Sequence, residues 1–194
     1  MAAFAAGLIE LGAGRPVIVL GRGFAGSPAH RALAQRFRVI VADDAKLAPR
    51  ALGEAAAGWA ADEGLEAVGF VGEGDDAAAA LWAASAAGDR ANAVVLVSPF
   101  LPLDDGADDP AGIRPLLTEV KAPKAVLIGT LDPDQPRDAA AHYRTRLSRS
   151  NVVLVFDAGA DIAADRPDAF ARVAGDFLDR QARFAFMTET LALE

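Results

Sequence analysis

Six short runs of consecutive apolar residues punctuate this chain, and longer segments with helix-like spacing of apolar positions lie between them. The runs are Pro16 to Leu20, Arg38 to Ala42, Ala67 to Gly72, Ala93 to Ser98, Lys124 to Gly129 and Asn151 to Phe156. Each is rich in Val, Ile or Leu without polar alternation, the pattern of a strand covered on both faces. The intervening segments predict helices over Pro28 to Arg36, Arg50 to Glu63, Asp75 to Ala87, Pro136 to Ser148 and Pro167 to Arg183. Ser27-Pro28 offers an N-cap with proline at the first helical position, and Arg166-Pro167-Asp168 opens the last helix similarly. Phe170, Val173, Phe177 and Leu178 then form one apolar helical face. Strands separated by helices of this length require right-handed crossovers and a parallel sheet. The expected fold class is therefore α/β, a three-layer sandwich around a mostly parallel central sheet. Leu8 to Leu11 is expected to add a short edge strand through the Gly12-Ala13-Gly14 turn.

Length and charge narrow this picture. A chain of 194 residues is most simply one domain, here 1–183, followed by an apolar tail, 184–194. That tail carries Phe184, Phe186, Met187, Leu191 and Leu193, so it is expected to pack on its own domain or against a second subunit. A formal net charge of -8 argues against nucleic acid and anionic membrane as partners. The absence of cysteine excludes disulfides, thiolate catalysis and cysteine-ligated zinc. The N-terminal segment lacks a basic n-region and is interrupted by Glu10, so no signal peptide is expected. No stretch approaches the roughly 20 apolar residues of a membrane span, and a cytoplasmic location is the expectation.

The segment VGFVGEGDDAAAAL, Val68 to Leu81, carries the most chemical information. A buried-strand run ends in Gly72-Glu73-Gly74, and an alanine-rich helix follows at once. This strand–turn–helix layout matches the nucleophile elbow, G-x-S-x-G, which lifts a serine Oγ above a parallel sheet. Here Gly74 stands at the nucleophile position and has no side chain with which to attack.

Taken in order, the segments resemble the α/β-hydrolase superfamily across nearly the whole chain. VIVLGRGFAGSPAHRALAQRFRVIVADD is similar to the strand, oxyanion loop, helix and next strand of that family. AVVLVSPFLP resembles the strand after the elbow helix. KAPKAVLIGTLDPDQP resembles the segment that carries the acidic residue, which would be Asp132. VLVFDAGADIAADRPDAFARVAGDFL resembles the last strand, the Gly-x-Gly-His loop and the closing helix. Only Pro99 to Pro123 is available for the lid that the family inserts, so no lid domain is expected. The departures from the pattern are specific. Gly74 replaces the nucleophile, Asp76 the second elbow glycine, Ala160 the histidine and Arg22 the histidine of the oxyanion loop. Of the triad only Asp132 remains. Removing serine or histidine from such a triad typically costs about 10⁶ in turnover.

The resemblance therefore implies a hydrolase-like protein without covalent catalysis, acting in binding or interaction, and needing no cofactor or metal. Arg22, Phe24, Glu73, Asp75 and Asp132 are expected to converge at the strand ends around a small polar ligand, or as a salt-bridged plug. Asp132 would need a donor there, and Arg22, shared with Glu73, is the expected one. Two alternatives remain. One is a hydrolase of small esters, haloalkanes or epoxides that uses Asp76, or a water activated by Asp132. The other is dinucleotide binding through Gly21-Arg22-Gly23-Phe24-Ala25-Gly26, with Asp43 about twenty residues on. His30 and His142, the only histidines, are assigned surface or structural roles, and Asp104 to Asp109 a solvated turn. Trp59 and Trp82 are expected to pack rather than to form a ligand cage. A homodimer is the expected assembly if the tail does not fold back.

Overall fold

The computed structural model describes residues 7–21, 26–42, 47–104 and 106–184. Seven strands form one sheet: β1 (Leu8–Leu11), β2 (Pro16–Leu20), β3 (Arg38–Ala42), β4 (Val68–Glu73), β5 (Ala91–Val97), β6 (Lys124–Gly129) and β7 (Ser150–Val155). Their spatial order is β1-β3-β2-β4-β5-β6-β7. All neighbours are parallel except β1, which pairs antiparallel with β3. The chain thus turns outward from β2 to β3 and returns to the other side of β2 at β4. That reversal is a topological switch point, where open α/β sheets place their ligand crevice. Counted without β1, the order also differs from the 3-2-1-4-5-6 order of the dinucleotide fold.

The helices are α1 (Pro28–Leu33), α2 (Pro49–Asp62), α3 (Ala77–Ala87), α4 (Leu116–Glu119), α5 (Ala139–Arg146), α6 (Ile162–Asp165) and α7 (Pro167–Arg180). They cover both sheet faces and divide the core in two. On one face α2 and α3 pack over Ile18, Ile40, Phe70, Leu96 and Val126. On the other, α1 and α7 close over Val19, Val41, Val71, Val95 and Leu127. Alternate residues of each strand serve opposite cores, which explains why the strand sequences are apolar throughout.

Strands were predicted closely, whereas four helices are shorter than their patterns suggested. The first ends at Leu33 rather than Arg36, because the chain continues in turns toward β3. The fourth spans only Ala139–Arg146, since Leu147 is already extended at φ -93° and ψ 116°. The elbow helix starts at Ala77, after a single 3₁₀ turn over Gly74–Asp76. The last helix stops at Arg180 and is continued by a 3₁₀ turn, Gln181–Arg183. Phe184 then packs edge-on against Phe177 at 5.5 Å. The remainder of the apolar tail lies outside the described residues. Trp59 and Trp82 pack against the α2/α3 core, as expected, and Trp82 Nε1 donates to the Ala111 carbonyl at 2.8 Å.

Lys124 opens β6 and is fully buried. Its ammonium donates to the carbonyls of Val120 (2.6 Å), Ala122 (3.2 Å) and Ser148 (2.9 Å), clasping the approach to β6 to the turn before β7. Loss of hydration lowers its pKa to about 8, with the Arg149 charge adding to the same effect. Among the described residues, no helix is long and apolar enough to cross a membrane.

Candidate functional site

The elbow is built as the sequence implied. β4 is buried along its whole length and delivers Glu73 and Gly74 to the C-terminal edge of the sheet. A Cβ on Gly72 would lie 2.7 Å from the Ala77 Cα, so this glycine lets the helix return tightly over the strand. Gly74 adopts φ 55°, in the left-handed region that a side chain makes costly. Among the described residues, its chain neighbours aside, no heavy atom lies within 4 Å of where its Cβ would be. The turn therefore presents open space at the position from which a nucleophile would project.

That space is part of a cavity of about 240 Å³. Glu73, Gly74, Asp75 and Asp76 line one side, Ala160 and Asp161 the other, and Val97, Ile162 and Ala163 complete it. Gly74 and Ala160 thus face the same cavity, although 86 residues separate them in sequence. Asp161 caps α6, accepting from the Ala164 amide at 2.9 Å, and this fixes the loop that carries Ala160. A second cavity of about 610 Å³ adjoins it through Asp75. It runs beneath the segment that follows β5, where Pro99, Phe100 and Leu101 face Gln135, His142 and Tyr143.

Asp132 lies in the turn after β6 and is 8% exposed. The Leu131 amide donates to the Ala158 carbonyl at 2.8 Å, so this turn rests on the loop that leads to Ala160. Asp132 Oδ1 accepts from the Asp134 amide at 3.1 Å, while Oδ2 has no hydrogen-bond partner among the described residues. It lines neither cavity among the residues described. Tyr143 lies nearby, donating to the Pro99 carbonyl and to Gln135 Oε1 (3.3 Å). Burial pushes its pKa up to about 12; the Gln135 contact opposes this and the Asp132 charge adds to it. Tyr143 is accordingly neutral at ordinary pH and unsuited to act as a base.

The structure brings Glu73, Gly74, Asp75, Asp76 and Ala160 together and sets Asp132 behind the same loop. Arg22 and Phe24 lie outside the described residues, as does Asp43. Glu73 makes a contact that the sequence reading did not find. Its Oε1 is 3.1 Å from His30 Nε2, with the imidazole fully buried. This corrects any surface role for His30 and leaves the structural one. The ring packs edge-on toward Phe170 at 6.3 Å. The available signal was the N-cap: Ser27 Oγ accepts from the His30 amide, and Ala29, His30 and Leu33 are the buried residues of α1. A polar residue on that inward face needs a partner. His142, by contrast, is half-exposed beside Asp138 at 3.3 Å.

Could a serine from elsewhere in the fold reach this cavity? Ser98 follows β5 at φ 41° and is fully buried, with Oγ unpartnered among the described residues. It lines neither cavity, so substrate in the elbow space would not reach it. Asp109 accepts from the amides of Ile113 and Arg114, each at 2.9 Å, which makes it a turn cap. Among the described residues, no group of three acidic or histidine side chains is disposed to hold a metal.

The sheet order, the elbow and the loop pairing after β6 and β7 define one architecture. This chain has the α/β-hydrolase fold. An α/β-hydrolase enzyme from the metagenome of sediments of the Mar Chica lagoon, Morocco, superposes with a TM-score of 0.74. The match covers 89% of this chain and 94% of that one at 14% identity. A thermophilic esterase from Thermogutta terrifontis matches with a TM-score of 0.72 and 16% identity, over 89% and 92% of the two chains. Carboxylesterase CesB from Bacillus subtilis gives 0.70 and 15%, over 88% and 86%. No protein-family model matches the sequence, and no curated protein matches it. Similarity at these identities speaks for the shared fold alone.

Proposed function

We propose that this hydrolase-fold protein binds a small polar ligand in the cavity beside Gly74 and carries out no serine-type covalent catalysis. One observation carries the reading: the elbow turn and the Ala160 loop face a common cavity, with glycine in place of the serine and alanine in place of the histidine that a serine-type triad needs. Loss of either group typically removes about 8 kcal/mol of transition-state stabilisation. The carboxylates of Glu73, Asp75, Asp76 and Asp161 around the cavity favour a ligand rich in hydrogen-bond donors.

A second reading is favoured by the placement of Asp76, which lines the cavity and is 2% exposed. It makes Asp76 the nucleophile of a hydrolase for small esters, haloalkanes or epoxides, an activity class consistent with neighbours described as esterases. The two readings separate in one set of assays. Turnover of p-nitrophenyl acetate, a short haloalkane and styrene oxide is measured for the wild type, Asp76→Asn and Asp132→Asn. Rates equal to buffer, together with a thermal shift from short amino alcohols or polyols that Ala160→Phe removes, support the binding reading. Turnover abolished by Asp76→Asn or Asp132→Asn overturns it. Saturable quenching of tryptophan emission by NAD(P) would instead support the dinucleotide alternative.

A further inference from the structure

β7 closes one side of the sheet and has a ladder partner only in β6 among the described residues. From Ser150 through Phe156 it carries no charged residue and no proline. Edge strands are ordinarily protected by charge, proline or a bulge, because their free N–H and C=O groups template pairing with another chain. The opposite edge shows that protection: Glu10 in β1 is ion-paired with Arg38 at 3.0 Å. β7 instead exposes Leu154 (51%) and is followed by Phe156 (71%), beside the turn that exposes Leu131 (66%).

The backbone restricts how this edge could be covered. The Lys124 amide donates to the Arg149 carbonyl at 2.9 Å, and the Thr130 amide to the Val155 carbonyl at 3.0 Å. Bonding alternates along a parallel ladder, so the odd-numbered residues from 149 to 155 face β6. The amides and carbonyls of Val152 and Leu154 therefore point away from the sheet.

The geometry points to a second copy of this chain as the occupant, its β7 laid antiparallel on the first about a two-fold axis. Only registers that set even residues opposite even residues let both strands bond across the axis. Of these, the register centred on Val153 sets Val152 opposite Leu154 of the second copy, with four main-chain hydrogen bonds between the two pairs. The same register brings the turn that carries Arg149 (φ 53°) in each copy beside the turn that carries Asp157 (φ 56°) in the other, just beyond the strand ends. The Asp157 side chain is 84% exposed and has a 3.6 Å contact to Arg166, while Arg149 gives one terminal nitrogen to the Lys121 carbonyl at 2.7 Å and keeps its other donors for a carboxylate. Strand and flanking charges are thus complementary to themselves, the condition for a closed two-fold interface. Two seven-stranded sheets become one continuous sheet, and Leu154 gains Val152 of the second copy as a cross-strand neighbour.

Sedimentation equilibrium over a concentration series tests this. The wild type is expected to dimerise, and Leu154→Lys to raise the dimer dissociation constant by about 100-fold or more. Phe156→Ser, at a more exposed position, serves as a second reporter, with circular dichroism verifying that both variants fold. Arg149→Glu and Asp157→Arg should each weaken the dimer, and their combination should recover most of the loss. A monomer at every concentration, or a dimer indifferent to both Leu154→Lys and Phe156→Ser, overturns the interface. So does a dimer lost only when the chain ends at Arg183. A double charge variant no tighter than either single one overturns the register.

Discussion

His30 and Lys124 are both buried completely, but the fold holds them by different means. Lys124 has three carbonyl acceptors, from Val120, Ala122 and Ser148, and its removal would leave them dry. Lys124→Met should therefore lower unfolding free energy by about 2 kcal/mol, read from the urea midpoint. Its pKa also sets a pH dependence. Because the folded value is about 8 and the ordinary one 10.5, the unfolded chain binds more protons between them. Lys124 should thus make the protein more stable as pH rises from about 8 toward about 9.5, and Lys124→Met should flatten that rise. A wild-type urea midpoint that falls over this window would contradict the assignment. His30 depends on one partner, Glu73, across 43 positions of sequence. His30→Leu leaves that carboxylate buried without its donor and should cost about 3 kcal/mol or more, whereas Glu73→Gln retains a bonding group and should cost less. Equal losses in the two variants would show that the contact contributes little. This residue pair was invisible in the sequence because nothing local couples α1 to the end of β4. Gly74 and Ala160, in contrast, were legible, since each sits in a motif whose neighbours fix its position.

At the level of elements, legibility followed the number of faces a segment buries. β2, β3 and β6 were read to the residue, because strands covered on both sides are apolar without interruption and stop where that run stops. α1 and α5 were overextended: turn residues after α1 and before α5 continue an amphipathic pattern without continuing the helix. The α2/α3 contact shows packing that periodicity alone does not reveal. A Cβ on Gly53 would fall 2.4 Å from the Ala79 carbonyl oxygen and 2.7 Å from the Ala83 amide nitrogen. The facing helix is alanine-rich, so the two backbones approach closely. Helix propensity alone predicts that Gly53→Ala stabilises by about 1 kcal/mol. The clash is with backbone, which has no rotamer by which to yield, and overpacking costs about 1–3 kcal/mol. Gly53→Ala should therefore be net destabilising, with a lowered melting temperature. A raised one would mean that the helices separate at little cost.

Across the whole molecule, the question is what the α/β-hydrolase fold alone can position when glycine stands at 74 and alanine at 160. The sheet order, the turn at Gly74, the turn that carries Asp132 and the loop that carries Ala160 come from β4, β6 and β7 together. If the architecture alone positions a triad, restoring its atoms should restore some chemistry. Gly74→Ser enters open space but takes a left-handed backbone conformation, at a cost of about 1–2 kcal/mol. Ala160→His replaces an exposed residue at the cavity wall and should be nearly neutral for folding. Each change alone leaves the nucleophile or its base absent, so neither should raise ester turnover. Together they should raise hydrolysis of p-nitrophenyl acetate by at least about tenfold over the wild type, since triad members act as a unit. Asp132→Asn in that background should then remove most of the gain, because an imidazole without its carboxylate loses its orientation and tautomer. A folded double variant with no gain would show that the 157–161 loop holds residue 160 away from residue 74. A gain indifferent to Asp132→Asn would leave Asp132 as a turn-forming residue, bonded to the Asp134 amide and without a part in the site.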